Sequence, residues 1–205
     1  MFSDLTPSKI VYTVVTIVIS LSIHEAMHAY VGYRLGDTTA HDMGRLSLNP
    51  LRHIDPLTTI ALPIITLLVF HAPILAARPV PFNPARVKYD EFGAAMIAAA
   101  GPLTNLALAA IGFYLLNLTT VAWLGNFLGV FVILNIYMFI FNILPIPPLD
   151  GSRVLYAFAP EAVQDFMRRI EPYGLFIIFA LVLSGVLSPL LINLSNDILQ
   201  VLNRF

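Results

Sequence analysis

The chain contains no cysteine. Disulfides are therefore excluded, and so are thiolate ligands; any metal must be held through nitrogen and oxygen. Charge is almost as scarce. Asp, Glu, Lys and Arg together make up 11% of the 205 residues, against roughly a quarter in soluble domains, while hydrophobic types reach 58%. That balance excludes an ordinary soluble domain and predicts an integral membrane protein. The formal net charge of −1 offers a polyanion no attraction, so no nucleic-acid partner is expected. The opening "MFSDLTPSK" lacks the basic stretch and small-residue cleavage site of a signal peptide, so the first apolar helix is expected to be retained. No repeat, low-complexity linker or long polar stretch marks a second domain. Residues 1–205 are read as one membrane-embedded unit.

A membrane-spanning helix needs about 20 mostly apolar residues. Candidate runs cover about 8–35, 92–117, 124–145 and 173–192, with a break in "NLTTVAWLGN". The tail 193–204 spaces its leucines along one helical face and is expected to lie on the membrane surface. The run 56–77 is apolar too, but it carries Pro63 and Pro73. The expected architecture is an all-α polytopic bundle with a re-entrant segment at 56–77 and a short extended or β segment on the cytoplasmic side.

Inside the first run stands "HEAMH", residues 24–28. His24 and His28 are four apart, so a helix projects both imidazoles from one face, one turn apart. Glu25 lies about 100° around the helix, within reach of a water held by the metal. This is the H-E-x-x-H arrangement, two histidines for zinc and a glutamate as general base. Ionisable groups within a membrane segment cost several kcal/mol and signal function. A catalytic zinc takes three protein ligands. His41, His53, His71 and the acidic residues are candidates for the third. Asp150, in "PPLDG", is the best placed, since it is the first charged residue after the uncharged stretch 92–149. The same turn would also serve Asp150 as a helix N-cap. Arg153 is a candidate partner for a carboxylate there.

Together with "AAGPLTN" at 99–105 and "FNILPIPPLDG" at 141–151, these motifs resemble the site-2 proteases, which are intramembrane zinc metalloproteases. "GRLSLNPLRHIDP" and "RPVPFNP" are similar to the compact bacterial and archaeal branch. The family's PDZ and CBS domains have no counterpart here. The resemblance implies one zinc ion held by His24, His28 and Asp150, with Glu25 as catalytic base and Asn105 and Asn142 lining the site. It also implies transmembrane protein or peptide substrates.

Zinc ligands must share one depth. With 56–77 re-entrant, His28, Asn105 and Asn142 come to one level, and nine of the eleven Lys and Arg residues fall on the metal side. The positive-inside rule makes that side cytoplasmic, in a prokaryotic plasma membrane. Val80 and Phe82, between prolines, are expected to offer an edge to which an unwound substrate adds as a strand. The competing functions are a membrane metal-ion transporter, which would want polar sites through the whole depth, and an inactive scaffold that binds membrane segments, which would have little use for Glu25.

Overall fold

A computed structural model describes residues 6–53, 83 and 86–204. Helix α1 runs Pro7–Arg34. Thr6 caps it by accepting from the Lys9 N–H, and Pro7 occupies the first turn, where a missing N–H costs nothing. Its 28 residues reach about 42 Å, enough to cross a bilayer. Gly36, in the left-handed region at φ 102°, ends it.

The faces of α1 are inverted relative to a soluble helix. Thr16, Ser20, His24, His28 and Gly32, each four residues apart, are buried, while Val11, Val14, Val15, Val18 and Ile19 are exposed. Lipid accepts the apolar face, and the polar groups find partners only inside the protein.

A short helix α2, Thr39–Asp42, and a 3-10 turn, Pro50–Arg52, follow. Helix α3 runs Asp90–Leu118, with Asp90 and Glu91 set against the positive end of its dipole. Helix α4 runs Ala122–Ile143. α1, α3 and α4 are long and apolar enough to cross a membrane. Contacts between Leu35 and Lys88 at one level and His24 and Asn105 at another show that α1 and α3 are antiparallel. Asn135 of α4 meets Ser20 of α1, and Phe127 meets Tyr12, so those two helices run parallel.

Next come α5, Asp150–Phe158, α6, Glu161–Ile170, and a 3-10 turn, Glu171–Tyr173. The expected single helix over 173–192 is instead two, α7 (Gly174–Leu183) and α8 (Leu187–Leu202), and the tail expected at 193–204 is the second half of α8. Gly185, at φ 73°, sits at the break, and the chain turns by 82° between Glu161–Leu183 and Leu187–Leu202. The bend lets Leu191, Ile198, Leu199 and Leu202 pack against Ala109, Val132, Ile136 and Ile140.

There is no strand among the described residues. Of the segment expected to be extended, only Asn83, Arg86 and Val87 are described. The re-entrant run 56–77, His71, Val80 and Phe82 all lie outside the described residues.

Asp37 joins the loop after α1 to the chain entering α3. Its Oδ1 accepts from the Thr39 N–H at 3.0 Å and hydroxyl at 2.5 Å, and its Oδ2 accepts from the Asn83 N–H at 2.7 Å. Burial opposes its charge, but these donors and the Arg86 guanidinium outweigh burial and hold its pKa below the ordinary carboxylate value.

Candidate metal centre

Two of the three grouped side chains follow from helical spacing alone. His24 and His28 stand one turn apart on α1, with their Nε2 atoms 2.9 Å from each other. The third arrives from α5. α4 ends at Ile143, and the prolines at 145, 147 and 148 keep the next residues out of helix. Asp150 then opens α5, and its Oδ2 lies 3.2 Å from His24 Nε2 and 3.3 Å from His28 Nε2. Gly151 permits this approach. A Cβ there would run into the Ile143 carbonyl at the end of α4.

The edges of this triangle are close to the roughly 3.3 Å edge that bonds of about 2.0–2.1 Å make around a tetrahedral zinc. The hydrogen bonds on the far side of each ring make the same point more strongly. His28 Nδ1 donates to the Ile97 carbonyl at 2.6 Å, and His24 Nδ1 donates to Asn105 Oδ1 at 2.6 Å. A neutral imidazole carries one N–H. With both rings neutral, the two Nε2 atoms are lone pairs turned toward each other and toward a carboxylate oxygen. Three acceptors this close repel unless a proton or a metal ion joins them, and two imidazoles with one carboxylate at these separations are a donor set that fits zinc.

Gly101 of α3 keeps the space clear. A Cβ there would stand 2.5 Å from His24 Nε2 and nearer still to His28 Nε2. Pro102, next in the helix, lacks the N–H that would bond the Ala98 carbonyl. In the same turn, Ile97 holds His28.

His24, His28 and Glu25 are buried, and the Asp150 side chain keeps 25% of its surface accessible. The centre is therefore open on its α5 side. Glu25 is within Coulombic reach of His28, His24, Asp150 and His53.

The two asparagines expected to line the site occupy different situations. Asn142 is half-buried at the end of α4, and its Nδ2 donates to the Met138 carbonyl at 2.9 Å. Asn105 is fully buried and engaged at both ends, since its Nδ2 donates to Asn135 Oδ1 at 2.9 Å. No polar atom of Asn105 is left for a substrate. Asn135 donates in turn to the Phe131 carbonyl at 2.9 Å and to Ser20 Oγ at 2.8 Å. Sequence reasoning passed over Asn135 and Ser20, because neither is ionisable. The available signal was an amide in the middle of the uncharged "FVILNIYMF", and a hydroxyl one turn before His24.

The remaining candidates stay apart from this group. His41 pairs with Asp42 on the surface, and His53 is buried with Nε2 bonded to the Ser47 carbonyl at 2.7 Å. Arg153 pairs with Glu171 at 2.5 Å rather than with Asp150.

Comparison with known proteins points the same way. The sequence model of peptidase family M50 matches residues 117–185, a stretch that includes Asp150. The protein named "Putative zinc metalloprotease YwhC", from Bacillus subtilis (strain 168), is 39% identical over 201 residues, 91% of this chain and 88% of that protein. "Putative zinc metalloprotease Rip2" of Mycolicibacterium smegmatis is 30% identical over 183 residues, 82% of this chain and 65% of that longer protein. "Putative zinc metalloprotease MJ0611" of Methanocaldococcus jannaschii is 40% identical over 89 residues, 43% of this chain and 46% of that protein. No solved structure matches the chain. Similarity to YwhC along nearly the full length of both proteins, together with the family match over the segment that carries Asp150, shows that the chain belongs to peptidase family M50, the site-2 protease family.

Proposed function

We propose that this zinc metalloprotease is an intramembrane endopeptidase that cleaves transmembrane protein substrates, with zinc held by His24, His28 and Asp150 and with Glu25 as the general base. One observation carries the proposal. Two imidazole nitrogens on a helix long and apolar enough to span a bilayer converge within 3.3 Å with a carboxylate oxygen from α5.

Bound zinc supplies Lewis acidity, lowering the pKa of a water toward about 7 and polarising the scissile carbonyl. Glu25 takes a proton from the attacking water and later delivers it to the leaving amine. Glu25 is placed for this work because it neighbours His24 in sequence, so one stretch of α1 carries both ligand and base. A substrate helix hides its peptide bonds in i→i−4 hydrogen bonds and must unwind before attack. The Asn142 amide, half-buried beside the turn that carries Asp150, is the group we assign to holding the unwound backbone. The role of Asn105 is reassigned, from substrate to His24.

The active site faces the cytoplasm in this proposal. Arg34, Arg45, Arg52, Arg86 and Lys88 cluster at the end of the bundle where α1 finishes and α3 begins, and the loop between α3 and α4 has no Lys or Arg. Single cysteines introduced at Ser47 and Thr119 should label from opposite sides of the membrane. Labelling of Ser47→Cys from outside only would reverse the orientation.

The activity is tested with the purified chain, a model membrane-spanning peptide, and Glu25→Gln. Cleavage should fall by about 10²–10⁴-fold with the zinc content unchanged. Equal cleavage by the two proteins would end the assignment of Glu25, and a wild-type chain that purifies without zinc would end the metal assignment.

A further inference from the structure

The three asparagine and histidine side chains behind the metal centre form a directed relay, and its direction is set far from the metal. Its origin is the Phe131 carbonyl, which can only accept. The Asn135 amide nitrogen has two hydrogens, and both are committed, one to Phe131 at 2.9 Å and one to Ser20 Oγ at 2.8 Å. Asn135 must therefore present its oxygen to α3. There it accepts from Asn105 Nδ2 at 2.9 Å. Asn105, so oriented, must present its own oxygen to His24 Nδ1, at 2.6 Å. The proton of His24 is thereby held on Nδ1, and the lone pair is left on Nε2, beside His28 and Asp150.

We propose that Asn135, anchored by Ser20, is a positioning residue that selects the metal-binding tautomer of His24. The proposal rests on His24 being a zinc ligand, as in the function assigned above. Ser20, Asn105 and Asn135 are all fully buried, so no water competes for these bonds. Were the Asn135 amide to turn over, its nitrogen would face the Asn105 nitrogen. Asn105 would then turn as well and offer His24 a donor. That donor demands a bare Nδ1, moves the ring proton to Nε2, and points an N–H at the metal position. An isolated asparagine beside His24 has no such preference, because its two ends are nearly equal in shape. The preference comes mainly from the helix carbonyl at Phe131, and Met138 Sδ, a weak acceptor 3.9 Å from Asn105 Nδ2, favours the same orientation.

Most relay geometries would be hard to separate from plain packing, but this one has a sign. In the native background, Asn135→Leu frees Asn105 to turn and should weaken zinc binding by about 10-fold, the low end for outer partners of metal ligands. In an Asn105→Asp background the group beside His24 Nδ1 can only accept. Adding Asn135→Leu to that background should then leave zinc affinity equal or tighter. A packing role for Asn135 predicts the same loss in both backgrounds.

Zinc dissociation constants of the full-length chain in detergent, measured by competition with a chelator, give the four corners of this cycle. A second measurement needs no variant. Imidazole 15N shifts of the zinc-free wild-type chain, under mildly alkaline conditions, should show His24 protonated on Nδ1. A native-background affinity unchanged by Asn135→Leu, an equal loss in both backgrounds, or a wild-type His24 protonated on Nε2 would each overturn the proposal while leaving the zinc site intact. A wild-type chain that binds no zinc would overturn both.

Discussion

Helices α3 and α4 meet two neighbours with two different chemistries. Toward α1 they present Gly101, which leaves room for the two imidazoles, the Ile97 carbonyl, which holds His28, and Asn105 and Asn135, which hydrogen-bond His24 and Ser20. Toward α8 they present Ala109, Val132, Ile136 and Ile140, packed against Leu191, Ile198, Leu199 and Leu202. Asn105 and Ala109 are one turn apart, and Asn135 and Ile136 are adjacent, so the two chemistries share a depth and a pair of helices. What differs is replaceability. An apolar contact tolerates many side chains of similar volume. A buried amide bonded at both ends tolerates almost none, because an unpaired donor or acceptor inside a membrane costs several kcal/mol. The first face specifies the reaction, and the second holds the bundle together.

The contrast can be broken most sharply at Gly101. Gly101→Ala adds one methyl at the point nearest both Nε2 atoms, on a residue that binds nothing itself. Zinc content should drop from about one ion per chain to a small fraction of that, and cleavage with it, while the helical circular dichroism persists. Retention of full zinc content would mean that the ligands are held more loosely than the 2.9 Å Nε2 separation indicates. The opposite face should respond in the opposite observable. Ile136→Ala removes a fully buried side chain from the apolar cluster and should lower stability to denaturant in detergent by about 2–5 kcal/mol, with the zinc dissociation constant unmoved. A large shift in zinc affinity there would show the two faces to be coupled.

Asn105→Leu sharpens the polar side. It keeps the branched outline, in a somewhat larger side chain, but withdraws the acceptor from His24, and zinc affinity should fall by about 10–100-fold, measurable by chelator competition. The smallest effect is expected away from both faces, at Asp37. Because its folded-state pKa is depressed, its stabilisation is complete above the unfolded value near 3.9 and disappears as pH falls through the folded value. Asp37→Asn should therefore cost roughly 1.5 kcal/mol at neutral pH, and the gap to wild type in thermal unfolding should close below about pH 4. A gap that stayed constant with pH would assign the loss to geometry rather than charge.

Legibility followed sequence distance. The pair His24 and His28 was readable because a helix converts a four-residue spacing into a shared face, and Glu25 came with it. The span at α4 was readable from its unbroken apolar composition. The bend at Gly185 was not, since a single glycine in an apolar run is equally compatible with a straight helix; packing of α8 onto α4 decides it. Asn105 was singled out but given to the substrate, because its partners Asn135 and His24 are 30 and 81 residues away in the chain. Asn135 showed only as an amide in an apolar run and Gly101 only as a letter of "AAGPLTN", since an amide and a hydrogen atom acquire their roles from what stands opposite.

By itself the sequence determined that this chain lives in a membrane, that it carries two imidazoles on one helical face with a carboxylate beside them, and that a second carboxylate follows a proline-bound turn. Those are consequences of composition and of the helical period, which act locally. Only the tertiary structure decided that Asp150 closes the triangle, that Gly101 leaves it open, and that a carbonyl at Phe131 reaches His24 through two amides. Those depend on distances between helices, which no spacing along one helix encodes.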